Sequence, residues 1–182
     1  PDGQLRRVDR LTNPQLFALV VGGQGLFGAV YSATLRLQSL SQTVSEAQSA
    51  SAATPAGEAR AMELLVPPEQ AQHLEQDVRA ACREWRTATE LLPPRRIRPE
   101  EETVLRWARR EYVALTVLLG EPDTVGRAVR AAQLRRELID AAIARGGIFP
   151  IACTPEATRD QTERCYPELP AFLSEQRRID PA

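Results

Sequence analysis

Lysine is absent from this chain of 182 residues, so all 23 basic side chains are arginines. The phosphate sites of P-loop proteins and of kinases both require a lysine, which excludes both classes. Histidine is almost absent too, because His73 is the only one. A Ser-His-Asp triad or a Cys-His pair would have to use it. His73 lies among polar residues of a predicted helix, and we therefore interpret it as a solvated surface residue.

Cysteine is scarce, with Cys82, Cys153 and Cys165 widely spaced and odd in number. This pattern argues against a disulfide framework and against a zinc site, so we expect no metal and a reducing, cytoplasmic location. Long apolar runs are also lacking, and no stretch reaches the roughly 18 residues of a membrane span. The formal net charge of -1 gives no reason to expect a nucleic acid or an anionic membrane as partner.

Glycines are concentrated where Gly22, Gly23, Gly25 and Gly28 interrupt two apolar runs. Three of them satisfy G-x-G-x-x-G, but a dinucleotide-binding Rossmann turn needs a helix directly after the glycines. Residues 30–37 instead alternate and are rich in strand-forming side chains, which disfavours that interpretation. A tight turn of purely structural purpose and a turn that lets a ligand approach the backbone both remain open at this point.

Periodicity predicts two structured regions on either side of a segment of small and polar residues at 38–58. The first has a short strand at 4–8, a helix opened by Asn13-Pro14, the glycine turn and a closing strand at 30–37. The second has strands at 61–66, 91–98, 111–119 and 148–152. One helix starts at Pro68, a short acidic helix starts at Pro99, and a long helix covers 124–145. Helices at 156–165 and 168–178 follow. We predict an α+β fold in which the second region is ferredoxin-like (split βαβ).

Several segments occur in the order found in one enzyme family. They are the "NPQLF" helix at 13–17, the glycine turn, "SATLRL" at 32–37, "ELLVPPEQ" at 63–70, "RRIRPEEETVLRWAR" at 95–109, "LIDAAIARGGIF" at 138–149, "ATRDQTERCYPELPAFL" at 157–173 and "RRIDP" at 177–181. In the sequences and the order of these segments, the chain resembles the C-terminal part of the FAD-linked oxidases of the vanillyl-alcohol-oxidase (PCMH) type.

The resemblance implies a division into three parts. Residues 1–40 would be the last strand-helix-strand portion of an FAD-binding domain, 41–58 a linker, and 59–182 a shortened ferredoxin-like cap domain over a small organic substrate. FAD would lie against Gly22, Gly23, Gly25 and Gly28, touch the main chain of Val30, and face Pro150. The activity implied is oxidation of a carbon that bears a hydroxyl group.

Two departures from the family pattern limit that expectation. The chain starts at Pro1-Asp2-Gly3 without a methionine and lacks the N-terminal half of the flavin domain, which we expect as a partner. Relatives place Tyr, His or Lys where this chain has Pro150, Cys153 and Thr154. Cys153 and Thr154 are therefore weak catalytic candidates, with a structural thiol as the alternative for Cys153. A non-catalytic interaction module, a truncated or split flavoprotein, is the competing functional interpretation.

Overall fold

The computed structural model describes residues 3–37, 59–120 and 124–180, and the chain divides into two compact units. The first unit comprises Pro1–Leu37, Glu100–Arg106 and Tyr166–Ala182, and the second comprises Gln38–Pro99 and Trp107–Cys165. The units interleave along the chain, and each is described by itself. The division predicted at residues 1–40, 41–58 and 59–182 stays a prediction, and its linker lies outside the described residues.

The described part of the chain contains both helices and an antiparallel sheet, which confirms the α+β prediction. In chain order they are α1 (Pro14–Val20), β1 (Ala59–Val66), α2 (Ala71–Glu84), β2 (Thr89–Leu91), β3 (Arg95–Ile97), β4 (Tyr112–Gly120), α3 (Val125–Ala144), α4 (Arg159–Cys165) and α5 (Leu169–Ile179). Short 3-10 turns cover Pro68–Gln70 and Ile151–Cys153.

The sheet of the second unit is built around β4. Along its whole length β1 pairs with it antiparallel, from Ala59 opposite Gly120 to Val66 opposite Val113. On the other edge of β4 lie β2 and β3, also antiparallel. Both faces of β4 are largely buried, which explains why its apolar residues run continuously instead of alternating with polar ones. The strand predicted at 111–119 is confirmed as β4.

Prolines shorten two of the predicted strands. The strand predicted at 91–98 is divided into β2 and β3, with Pro93 and Pro94 between them, because proline has no N–H to donate to a ladder. The strand predicted at 148–152 is reduced to one bridge, in which Ile148 and Leu65 exchange two backbone hydrogen bonds of 2.8 Å. Pro150 then leads into the second 3-10 turn, so the pairing ends there.

The 3 and 4 residue spacing of apolar side chains in α2 predicts a buried face that includes Leu74, Val78, Ala81 and Cys82, and all four are buried. His73 is exposed on the same helix, as expected. For α3 the same spacing predicts a buried face that includes Val125 and Val129, and this prediction is wrong, since both residues are exposed. The buried residues lie further along, at Leu134, Arg135, Leu138, Ile139 and Ala142.

Capping residues explain where the helices of the second unit begin and end. The Thr124 hydroxyl accepts from the Arg127 amide at 3.3 Å at the start of α3. At its end Gly146 is left-handed, and the Gly147 amide donates to the Ala142 carbonyl at 2.8 Å, which is the pattern of a glycine C-cap. The helix predicted at 156–165 starts later, at Arg159, because Thr158 and Gln161 form a reciprocal capping box.

The first unit has a small apolar core in which the buried residues are Leu19, Phe27 and Phe172. The rings of Phe27 and Phe172 meet edge to face, with centroids 4.9 Å apart. Two predicted strands, at 4–8 and 30–37, are wrong, because neither segment is a strand in the described part of this unit. A strand needs a partner for its backbone groups, and sequence pattern alone does not supply one.

The acidic helix predicted from Pro99 is also wrong, and residues 100–106 form turns. The Glu100 carboxylate accepts from the backbone amides of Glu102 and Thr103 at 2.5 and 2.6 Å, and from the Thr103 hydroxyl at 2.6 Å. These side-chain bonds occupy the amides locally and stabilise a turn. The helix predicted at 168–178 is confirmed as α5, which begins after Glu168 and contains Pro170 in its first turn.

Candidate functional site

The glycine turn follows directly from the end of α1. The Gly23 amide donates to the Val20 carbonyl at 3.1 Å, and the Leu26 amide donates to the Gly23 carbonyl at 2.9 Å. Gly22 and Gly25 have φ angles of 76° and 78°, in the left-handed region that glycine adopts without steric cost. The backbone therefore changes direction at both positions, and this conformation accounts for glycine at Gly22 and Gly25.

Two of the glycines are required by packing. Gly23 is buried, and a Cβ there would overlap the Leu19 carbonyl oxygen and lie 3.1 Å from a ring carbon of Phe27. A Cβ on Gly22 would lie 3.2 Å from the Thr103 methyl carbon. These two positions hold the turn against its own unit and need no ligand to explain them.

The other two glycines are open. Gly25 and Gly28 are exposed, and a Cβ built on either would meet no heavy atom within 4 Å. Gly28 has a φ of 135°, which a residue with a side chain rarely adopts. Packing therefore does not explain why Gly25 and Gly28 are glycines, and no side chain covers the main chain at these two positions.

Val30 lies in the segment 29–37, which leaves this open side of the turn. Every residue of the segment is exposed, including Val30 at 65% and Tyr31 at 88%. Within the described part of the first unit, no backbone hydrogen bond involves these residues. The segment thus has the composition of a strand and a complete row of backbone groups without a partner in this unit.

Residues 100–106 support the turn, and sequence analysis missed this role. The Val104 amide donates to the Ala18 carbonyl at 3.4 Å, and Arg10 donates to the Glu102 carboxylate. Val104 and Leu105 pack against the core of the first unit. The available signal was the run of three glutamates after Pro99, followed by the apolar residues Val104 and Leu105, which we interpreted as a helix.

In the second unit, the 3-10 turn after Pro150 carries the two catalytic candidates. The Thr154 side chain is buried, and its hydroxyl donates to the Pro150 carbonyl at 2.9 Å. Thr154 therefore closes the turn and has a structural role. Cys153 is exposed. Two surface depressions of this unit lie around Trp85 and beside Arg83, and neither is lined by Pro150, Cys153 or Thr154.

The remaining cysteines are buried and poorly suited to nucleophilic catalysis. Burial raises the pKa of the Cys165 thiol to about 11, against a smaller opposing effect from the hydrogen bond with Phe149. Burial also raises the pKa of Cys82. Both thiols stay protonated near neutral pH, and a thiol reacts as its thiolate.

Acidic, cysteine and histidine side chains do not gather into a possible metal site anywhere in residues 3–37, 59–120 and 124–180. Over the same residues, none of the helices is long and apolar enough to cross a membrane. No family model matches the chain, and a search of curated proteins gives no match either.

Proposed function

We propose that this chain is the C-terminal portion of an FAD-dependent oxidoreductase that oxidises a hydroxyl-bearing carbon of a small organic substrate. The observation that carries the proposal is the open side of the glycine turn. There Gly25 and Gly28 have free space around them, and the strand-like segment 29–37 has no backbone partner among the described residues of its unit. A closing strand of a flavin-binding domain would have these properties once the rest of that domain was removed.

The first unit fits the cofactor through its main chain. When bound, FAD supplies the hydride acceptor. Gly25 and Gly28 would let the backbone approach it closely, because no side chain stands between. Val30, which is 65% exposed, would contact it through backbone atoms. Gly22 and Gly23 would shape the turn from behind and would not be contact residues.

For the second unit we propose a ferredoxin-like cap domain. Its support is the order in which segments lie side by side, with Ile148 bridged to β1, β1 paired with β4, and β4 paired with β2 and β3. A split βαβ fold whose last strand is reduced to one bridge would have this order and two helices in the positions of α2 and α3. A cytoplasmic location goes with this proposal.

The second candidate function is a non-catalytic interaction module. It is favoured by the turn after Pro150, where the Thr154 hydroxyl is occupied by the Pro150 carbonyl. No histidine, lysine or tyrosine follows in this turn to take a proton from a substrate hydroxyl. The two functions share the docking of a flavin-domain half and differ in whether the joined protein turns over substrate.

The test compares the visible absorbance of FAD with two protein samples. The first is residues 1–182 alone, which we expect to leave the flavin spectrum unperturbed because most contacts to the cofactor are missing. The second joins the chain to an N-terminal flavin-domain half, taken from coding sequence upstream of Pro1 or from a separate polypeptide. We expect the joined sample to retain FAD on gel filtration.

Glycine variants make this test specific to the turn. Gly25→Val or Gly28→Val should raise the Kd of the joined sample for FAD at least about tenfold, the equivalent of about 1.4 kcal/mol, and so lower the FAD retained on gel filtration. Gly3→Val is the matched control, since Gly3 also has a positive φ of 67° and open space at its Cβ. A yellow complex with residues 1–182 alone, or FAD retention by both turn variants, would refute the proposal. Flavin reduction by a hydroxylated substrate then separates the two functions.

A further inference from the structure

Arg135 is buried in the second unit, on the inner face of α3, with a side chain that is only 5% exposed. Its Nη2 nitrogen is closed off from solvent and, among the described residues, has no hydrogen-bond partner. Arginine keeps its charge inside proteins, so it cannot escape this situation by losing a proton. A charged donor buried without a partner is costly, and native proteins rarely leave one unexplained.

Glu156 supplies the only carboxylate in ion-pair range of Arg135 among the described residues, and it is shared. Its Oε1 atom lies 2.6 Å from Nη1 of Arg60 and 3.9 Å from Nη1 of Arg135. The closer contact goes to Arg60. A third arginine, Arg136, donates through Nε to the Glu156 carbonyl at 2.8 Å and leaves the carboxylate free of a further bond.

The charges of this cluster do not balance. Arg60 and Arg135 contribute two positive charges, and Glu156 contributes one negative charge. Buried charges in proteins are paired or bound to ions, because an isolated one loses its hydration without compensation. One further negative group with acceptor oxygens would complete the set.

We propose that Arg135 and Arg60 form a binding site for a small oxyanion, either a carboxylate or a phosphate. The two guanidinium groups would bind its oxygens, and Glu156 would position Arg60. Arg60 is the more exposed of the two arginines, with a side chain that is 37% exposed, so the ion would reach the cluster from the side of Arg60. The site lies within the second unit and does not depend on flavin binding.

The test is thermal unfolding of residues 1–182 in increasing inorganic phosphate, at constant ionic strength maintained with chloride. A ligand that binds only the folded state raises Tm with a saturable dependence on its concentration. We expect a rise of several degrees at saturation. A parallel series with malonate distinguishes the two sources of the oxyanion, since a carboxylate site will respond to malonate at lower concentrations than to phosphate.

Variants assign the effect to the cluster. Arg135→Met should abolish the response, and Arg130→Met, an exposed arginine on the same helix, should preserve it. If Arg135→Met does not fold, the same measurement is made on Arg60→Met. Its half-saturating ion concentration should be at least about tenfold higher than that of the parent chain. The proposal is wrong if neither ion raises Tm of the parent chain, or if the response of the deciding variant equals that of Arg130→Met.

Discussion

Single glycines of the same motif have different physical roles. Gly23 is enclosed by its own unit, and Gly25 is not. Because the atom facing Gly23 is a backbone carbonyl oxygen, a methyl group there forces the main chain to move and not just a flexible side chain. We predict that Gly23→Ala destabilises the first unit by about 1–3 kcal/mol. The measurement is hydrogen exchange of the α1 amides, which reports the opening free energy of this unit.

The control for Gly23→Ala is Gly126→Ala. Gly126 lies in the first turn of α3, with open space at its Cβ and no positive φ, so alanine should be neutral or stabilise by up to about 1 kcal/mol. Equal α1 exchange in the Gly23→Ala variant and the parent chain would show that the turn is looser than its contacts indicate.

At the scale of elements, α3 has two different halves. Its first six residues are exposed, and its second half carries the buried face. Ile139→Ala should therefore cost about 2–4 kcal/mol through lost burial and a cavity. Val129→Ala should change stability by less than about 0.5 kcal/mol. Urea unfolding followed by tryptophan fluorescence measures both, because Trp85 and Trp107 belong to the second unit. Similar losses for the two variants would contradict the observed burial.

The elements that sequence predicted well are those whose pattern has a local cause. The apolar spacing of α2, the continuous apolar run of β4 and the glycine cap of α3 each follow from residues within a few positions of one another. Segment 30–37 shows the limit, because its composition is that of a strand and its backbone has no partner in the described first unit. Residues 100–106 show another limit, since the side chain of Glu100 competes with the helix that its position favours.

The candidate site was predictable only in part. The glycine pattern indicated a bare backbone, and the structure shows that this applies to Gly25 and Gly28 but not to Gly23. That division depends on Leu19 and Phe27, whose positions the motif does not specify. Arg135 was missed entirely, because an arginine at a helical spacing resembles a solvated residue, and only burial reveals its unpartnered nitrogen.

At the scale of the whole molecule, the first unit has a small core and a large exposed apolar surface. Leu5, Leu11, Val30, Tyr31, Leu35 and Leu37 are each at least 65% exposed. The unit lacks a sheet on which the segment 29–37 could lie, as far as the structure describes it. Exposed strand-like segments with apolar side chains tend to pair with other chains and cause aggregation when a domain is isolated. We infer, as part of the proposed function, that this segment pairs with a strand of a flavin-domain half.

Hydrogen exchange of the amides of residues 29–37 tests this claim most directly. It is measured on residues 1–182 alone and on the same chain joined to the flavin-domain half in the presence of FAD. The account predicts exchange close to that of an unstructured peptide in the first sample, and slowing of alternate amides by at least about a hundredfold in the second, as strand pairing requires. Unchanged exchange in a joined protein that binds FAD would contradict it.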